Sequence, residues 1–230
     1  MTQTISKRLR AAADFVRSGA YISDVGTDHA YLPIYLAKTG KIRGAVASDI
    51  NEGPYLRAKM NIAEEGLSNI IKAVHTAGLD GIEGFDPTDI VICGMGGELI
   101  AKIIEAAPWV KDEKIRLILQ PMTHPEILRK YLLDSGFNIK DERIVREDKL
   151  YVVLCAEFCG KAEAYTDAEL LLGRHNIERA DEELYMLIDW HISVQQNIAN
   201  AKLSGGSDAT EEERIIKLME DAKNDCKRAL

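Results

Sequence analysis

No stretch of eighteen or more apolar residues occurs in this chain, so none reads as a membrane-spanning helix. Its first residues, MTQTISKRLR, also lack the apolar run of a secretory leader. Cysteine is scarce: Cys93, Cys155, Cys159 and Cys226 form no C-x-x-C pair, and Cys155 and Cys159 fall in an apolar, strand-like run. Buried reduced thiols are therefore expected rather than a metal site, and a cytoplasmic location follows. Positive charge is in deficit as well. A net charge of −8 excludes a protein that coats nucleic acid by bulk attraction. The G-x-G-x-x-G pattern of dinucleotide sites is also missing, which weakens a pyrophosphate-binding reading.

The charge is unevenly placed. Residues 1–50 carry seven Lys/Arg against four Asp/Glu, whereas residues 162–230 carry eight against fifteen. A polyanion should dock near Lys7, Arg8 and Arg10, unless these only solvate the first helix.

From residue 4 to 158 helical and strand patterns alternate, with strands expected near 20–25, 44–49, 71–76, 89–93 and 115–120. That alternation predicts right-handed βαβ units, a mostly parallel sheet and a Rossmann-like α/β fold. Segments 137–145 and 150–158 lie close together, as in a terminal antiparallel hairpin. After Gly160 the pattern changes. Thr166 and Asp167 offer a helix cap, and Ile177, Leu184, His191 and Ile198 recur every seven residues with Ala180, Leu187, Val194 and Ala201 three further on. Thr210 and Glu213 have capping-box spacing. The expectation is two domains, 1–160 and 161–230, the second a helical coiled-coil hairpin in which Trp190 and His191 pack the seam.

The chemistry concentrates at strand ends. The first strand runs into Asp24-Val25-Gly26-Thr27-Asp28-His29-Ala30-Tyr31, where glycine lets the backbone turn tightly beside a ligand. Asp49 closes the second strand, where a Rossmann-like sheet places the carboxylate that holds an adenosine ribose; Asp24 and Asp49 could instead cap helices. S-adenosylmethionine carries an ammonium and a sulfonium and no phosphate, so Asp24 and Asp28 favour it over a dinucleotide. Gly94, Met95, Gly96 and Gly97 follow the fourth strand and would let a substrate approach the backbone. Gln120 ends the fifth, facing the same crevice or merely capping the strand.

The strings DVGTDHAYLPIYL, SDINEGPYLRAKMN, DIVICGMGGELIAKII and LILQPMTHPEILRKYLLDSGF resemble the bacterial tRNA (adenine-22-N1)-methyltransferases over roughly residues 4–158. The resemblance implies a class I methyltransferase domain with a seven-stranded sheet, S-adenosyl-L-methionine as cofactor, and tRNA as substrate. Carried over by position, Asp24, Gly26 and His29 line the methionine half of the cofactor, Asp49 holds the ribose beside Ile50 and Asn51, and Gly94, Met95 and Gly96 form the opposite wall. Where relatives often place an Asp for the cofactor's adenine, this chain has Ala77 before Gly78. Backbone groups of Ala77, Gly78 and Leu79, or the Asp80 carboxylate, would serve there. Asp28 is the candidate to stabilise charge on the methylated adenine, with Tyr31 stacking on the base, orienting Asp28 or packing the first helix. Lys7, Arg8, Arg10 and Gln120 are candidate tRNA contacts, and a monomer is favoured. Two other readings share these features: a non-catalytic Rossmann-like binding protein, and a methyltransferase acting on a protein or small molecule.

Overall fold

The computed structural model describes residues 5–228. Contacts divide the chain into two compact units, the first ending at Ala164 and the second beginning at Tyr165. In the first, α1 (Lys7–Phe15), β1 (Ala20–Val25), α2 (Tyr31–Lys38), β2 (Ile42–Asp49), α3 (Glu52–Glu64), β3 (Ile71–His75), β4 (Asp89–Met95), α4 (Gly97–Glu105), β5 (Arg116–Pro121) and α5 (Pro125–Asp134) alternate before the pair β6 (Phe137–Arg146) and β7 (Leu150–Phe158).

The seven strands form one sheet in the order β3-β2-β1-β4-β5-β7-β6. β1 to β5 pair in parallel, while β7 runs antiparallel to both β5 and β6. Helices cover the sheet, so the central strands are nearly continuous apolar runs: Ile90, Val91 and Ile92 of β4 and Leu117, Ile118 and Leu119 of β5 are all fully buried. The chain leaves β1 towards β2 on one side and reaches β4 on the other. Their carboxyl ends therefore diverge at the switch point where open α/β sheets bind ligands.

Two ion pairs with buried members brace this unit away from the switch point. Asp89, at the start of β4, takes the backbone N–H and the guanidinium Nε of Arg17 at 2.9 and 2.8 Å. Arg129 of α5 and Glu142 of β6 are both fully buried and bonded at 2.9 Å. Cys155 is buried in β7 as expected, but Cys159 lies beyond the strand and is exposed, its thiol donating to the Gly136 carbonyl. The apolar run ends one residue before it.

The second unit is helical: α6 (Asp167–Leu172), α7 (Arg174–Arg179), α8 (Glu182–Ser204) and α9 (Thr210–Arg228). α8 and α9 pack as the hairpin, but the heptad seam is shorter than its sequence repeat. Gly173 at φ 90° ends α6, Ala180 at φ 49° ends α7, and the Asp181 side chain caps α8 by accepting from the Leu184 N–H. Ile177 and Ala180 thus fall outside the long helix. Within it Leu184, Leu187 and Ile188 are buried, whereas Trp190 and Ile198 are exposed, which corrects the expectation that both pack the seam. The capping box forms at Thr166 and Glu169. At the start of α9 Asp208 is the side-chain acceptor, for the Thr210 N–H and hydroxyl, in place of the Thr210–Glu213 box. Among the described residues no helix is long and apolar enough to cross a membrane.

Candidate active site

The site is built where β1, β2 and β4 end. Asp24 is buried in β1, and burial pushes its carboxyl up to about 6, against the opposing pull of a hydrogen bond with Thr27. Asp49 closes β2, where its Oδ1 accepts the Asn51 N–H at 2.7 Å and the Asn51 amide at 3.3 Å. Neither caps a helix. The residue preceding α2 is Ala30 and that preceding α3 is Asn51. Both carboxylates sit where β1 and β2 end, Asp24 bonded to Thr27 and Asp49 to Asn51.

Gly26 has φ 75°, and a Cβ there would lie 2.1 Å from Cε of Met95. The methionine of β4 thus lies directly on the glycine turn of β1, so the two walls of the crevice meet at this pair. Beyond the turn Thr27 accepts the Ala30 N–H at 3.1 Å, and Ala30 adopts a left-handed φ of 54°. Glycine would enter that conformation without strain; alanine stores roughly 1–2 kcal/mol there. The turn projects Asp28 and Tyr31 outward, more than half exposed and 40% exposed respectively. Asp28 Oδ1 accepts from Nε and Nη2 of Arg57 at 3.0 and 2.5 Å, and Oδ2 faces His29 Nε2 at 3.4 Å. Tyr31 stacks on the His29 ring with centroids 4.8 Å apart. Asn61 donates to the His29 carbonyl at 3.1 Å and its amide nitrogen lies 3.4 Å from Nδ1 of the ring.

Around Asp49 the loop is pinned from β3. The Thr76 N–H donates to the Asp49 carbonyl at 3.1 Å, and His75 Nε2 sits 2.9 Å from the Ile50 carbonyl. Ala77 and Gly78 are partly exposed, Leu79 is buried, and Gly78 turns at φ 52° with Asp80 exposed beyond it. On the other wall β4 bulges at Gly94, φ 82°, between the paired positions Cys93 and Met95. The Met95 carbonyl accepts the Met122 N–H and the Gly97 N–H donates to the Thr123 carbonyl, both at 2.8 Å. A Cβ on Gly97 would sit 2.3 Å from the His124 carbonyl oxygen, so this glycine serves backbone packing. Burial, with Asp24 adding to it, pushes the Cys93 thiol far up, so it is an inert thiol next to the site.

The structure gathers Asp24, Gly26, Asp49 and the Gly94–Gly96 loop at one switch point and puts Asp28, His29 and Tyr31 on its rim. It uses the basic residues of α1 differently from simple solvation. Arg8 is half-buried, donating to Gln120 Oε1 at 2.9 Å, and Arg10 donates to the Tyr35 phenol at 2.9 Å. Lys7 is exposed, with its backbone N–H on Glu147. Gln120 is fully buried and bears on the crevice through its own bonds to Arg8 and the Gly94 backbone. Arg57 and Asn61 lie within the string SDINEGPYLRAKMN, but nothing in the sequence sets them apart from its other polar residues. They look like ordinary polar residues of an exposed helix face, and only the fold carries that face to the first loop. Among the described residues no cluster of three or more His, Cys, Asp or Glu could hold a metal.

Fold and carboxylate placement together define a class I methyltransferase domain, and residues 5–154 match the family model described as a methyltransferase domain. The Bacillus subtilis tRNA (adenine(22)-N(1))-methyltransferase is 41% identical over 170 residues, covering 74% of this chain and 71% of that one. The crystal structure of the B. subtilis m1A22 tRNA methyltransferase TrmK superposes with a TM-score of 0.83 at 33% identity, covering 98% of both chains. Streptococcus pneumoniae Sp1610 in complex with S-adenosyl-L-methionine gives 0.87 at 32% identity over 96% of this chain and 100% of that one. The chain belongs to the family of bacterial tRNA (adenine-22-N1)-methyltransferases.

Proposed function

We propose that this chain transfers the methyl group of S-adenosyl-L-methionine to N1 of adenine 22 in tRNA. One observation carries the reading: Asp24, Gly26, Asp49 and Gly94 converge on a single switch-point crevice in a chain so similar to an enzyme of that activity. The groups present fit the cofactor. A buried carboxylate suits an ammonium, a carboxylate at the end of β2 suits a ribose, and the turn at Gly26, whose missing Cβ makes room for the Met95 side chain, offers no phosphate cradle. When bound, the cofactor supplies an electrophilic methyl on a sulfonium.

In this reading Asp24, Gly26 and His29 hold the methionine end. Asp49, Ile50 and Asn51 hold the ribose, Ala77, Gly78 and Leu79 border the adenine, and Gly94, Met95 and Gly96 form the opposite wall. Neutral adenine already presents a lone pair at N1, so the protein's task is alignment rather than strong-base catalysis. Methylation at N1 leaves positive charge on the ring. Asp28 steadies that charge and can take a proton from N6, with Tyr31 beside it. The target base must leave its stack, at a cost of a few kcal/mol, which contacts along the tRNA backbone offset. A methyltransferase domain over residues 1–160 and a helical domain over 161–230 complete the reading, supported by compact units that meet at Ala164 and Tyr165. A tRNA substrate puts the work in the cytoplasm.

The test is to incubate unmodified total tRNA with enzyme and labelled methyl donor and map the product by mass spectrometry. 1-Methyladenosine at position 22 is expected. Label that enters protein or metabolites and spares tRNA would overturn the reading.

A further inference from the structure

We infer that Arg57 latches Asp28 in the RNA-free enzyme, and that a phosphate of the incoming tRNA takes Arg57 over, so that substrate binding itself uncovers the carboxylate. The inference rests on the role proposed for Asp28. It starts from a conflict in the geometry. Two guanidinium nitrogens of Arg57 sit on one oxygen of Asp28, at 3.0 and 2.5 Å, and His29 faces the other. A carboxylate meant to steady a cationic adenine is then already neutralised. At such separations the attraction from Asp28 and the repulsion from Arg57 nearly cancel at a base approaching the rim. For Asp28 to act, Arg57 must leave.

It can leave cheaply. The two side chains are 48% and 57% exposed, and an ion pair so open to water holds little. A phosphodiester matches the planar fork of a guanidinium with two parallel hydrogen bonds, a better partner than one shared carboxylate oxygen. The surroundings suit a nucleotide. Tyr31, on the Asp28 turn, and Met60 are large side chains 40% and 60% exposed, and Met60 lies on the α3 face that carries Arg57, three residues on. Apolar surface beside one cation fits the face of a nucleoside and its phosphate. Releasing the latch would not loosen the loop, because Asn61, one turn beyond Arg57, holds the His29 carbonyl independently.

The test compares Arg57→Gln, Arg57→Lys and Asp28→Asn in the full chain, with unmodified tRNA transcript as substrate. Calorimetry with S-adenosyl-L-methionine serves as the check that each site is intact. For Arg57→Gln the loss should be carried by KM for tRNA, a rise of about three- to tenfold, rather than by the single-turnover rate at saturation. Its plot of log kcat/KM against log salt should be shallower by about one phosphate contact. Arg57→Lys should keep the slope. Asp28→Asn should bind tRNA about two- to fivefold more tightly, because Arg57 is then free before RNA arrives, while its single-turnover rate falls. A slower saturated rate in Arg57→Gln with KM and salt slope unchanged would overturn the inference, making Arg57 a positioning residue for Asp28. Unaltered tRNA affinity in Asp28→Asn would also overturn it. Failure of the Asp28 reading is separately visible, as a wild-type single-turnover rate in Asp28→Asn whatever the salt slope of the Arg57 variants.

Discussion

Gln120 holds the backbone of Gly94: its Oε1 accepts the Gly94 N–H at 3.1 Å and Nη1 of Arg8 at 2.9 Å, while its amide nitrogen donates to the Pro121 carbonyl at 2.9 Å. One fully buried side chain thereby ties α1 to the bulge in β4 that forms a wall of the crevice. Replacing it with methionine keeps the volume but removes the acceptor. Gln120→Met should cost about 1–3 kcal/mol in urea unfolding, because two part-buried hydrogen bonds to its side-chain oxygen are lost. Methylation should fall by more than cofactor affinity does. Equal losses in both would mean that the bond supports the fold and not the wall.

Asp24 links site and stability through pH. Its carboxyl, ordinarily at 3.8, is raised to about 6 by burial, so between those values the folded chain keeps a proton that the unfolded chain has released. Stability of the cofactor-free protein should therefore fall as pH rises through that window, by a total on the order of 3 kcal/mol. Asp24→Asn should abolish this fall and leave the apoprotein more stable at pH 7.5 than wild type, with no gain at pH 3. The same substitution should weaken S-adenosyl-L-methionine binding by more than about tenfold, through loss of a charged hydrogen bond. Urea titrations at several pH values and calorimetry at pH 7.5 check both halves.

The buried pair Arg129–Glu142 makes a prediction remote from the site. Arg129→Met should destabilise the fold by about 3–5 kcal/mol, because a fully buried carboxylate is left without its cation. Exchanging both residues for apolar ones of similar size should recover most of the loss. A double variant as unstable as the single one would show that packing, not charge, holds α5 to β6.

A fragment ending at Ala164 should fold by itself and bind S-adenosyl-L-methionine with near wild-type affinity, since every proposed cofactor contact precedes that residue. Its methylation of tRNA reports on the acidic helical unit. A sharp loss of activity with cofactor binding intact would assign that unit to substrate orientation. A fragment that fails to fold would refute the boundary.

Much of this arrangement was legible in the sequence because periodicity and strand-end chemistry are local properties. Alternating apolar runs determined the strands and helices, the glycine after β1 and the aspartate after β2 located the crevice, and the distinctive string from Asp24 to Pro33 identified the family. Local pattern misled where a neighbouring residue competed for the same bond. The heptad count ran through Ala180 because a repeat of apolar positions cannot register that Asp181 caps a new helix there, and Thr210 lost its role to Asp208 two residues earlier.

What only the tertiary structure decided is which distant groups share one atom. The placement of Met95 on Gly26, of Gln120 between Arg8 and Gly94, and of Arg57 on Asp28 joins residues 26 to 112 positions apart. No propensity or spacing encodes such meetings. They follow from the order in which strands enter the sheet and from the faces the helices must bury, and those are settled by packing the whole domain at once.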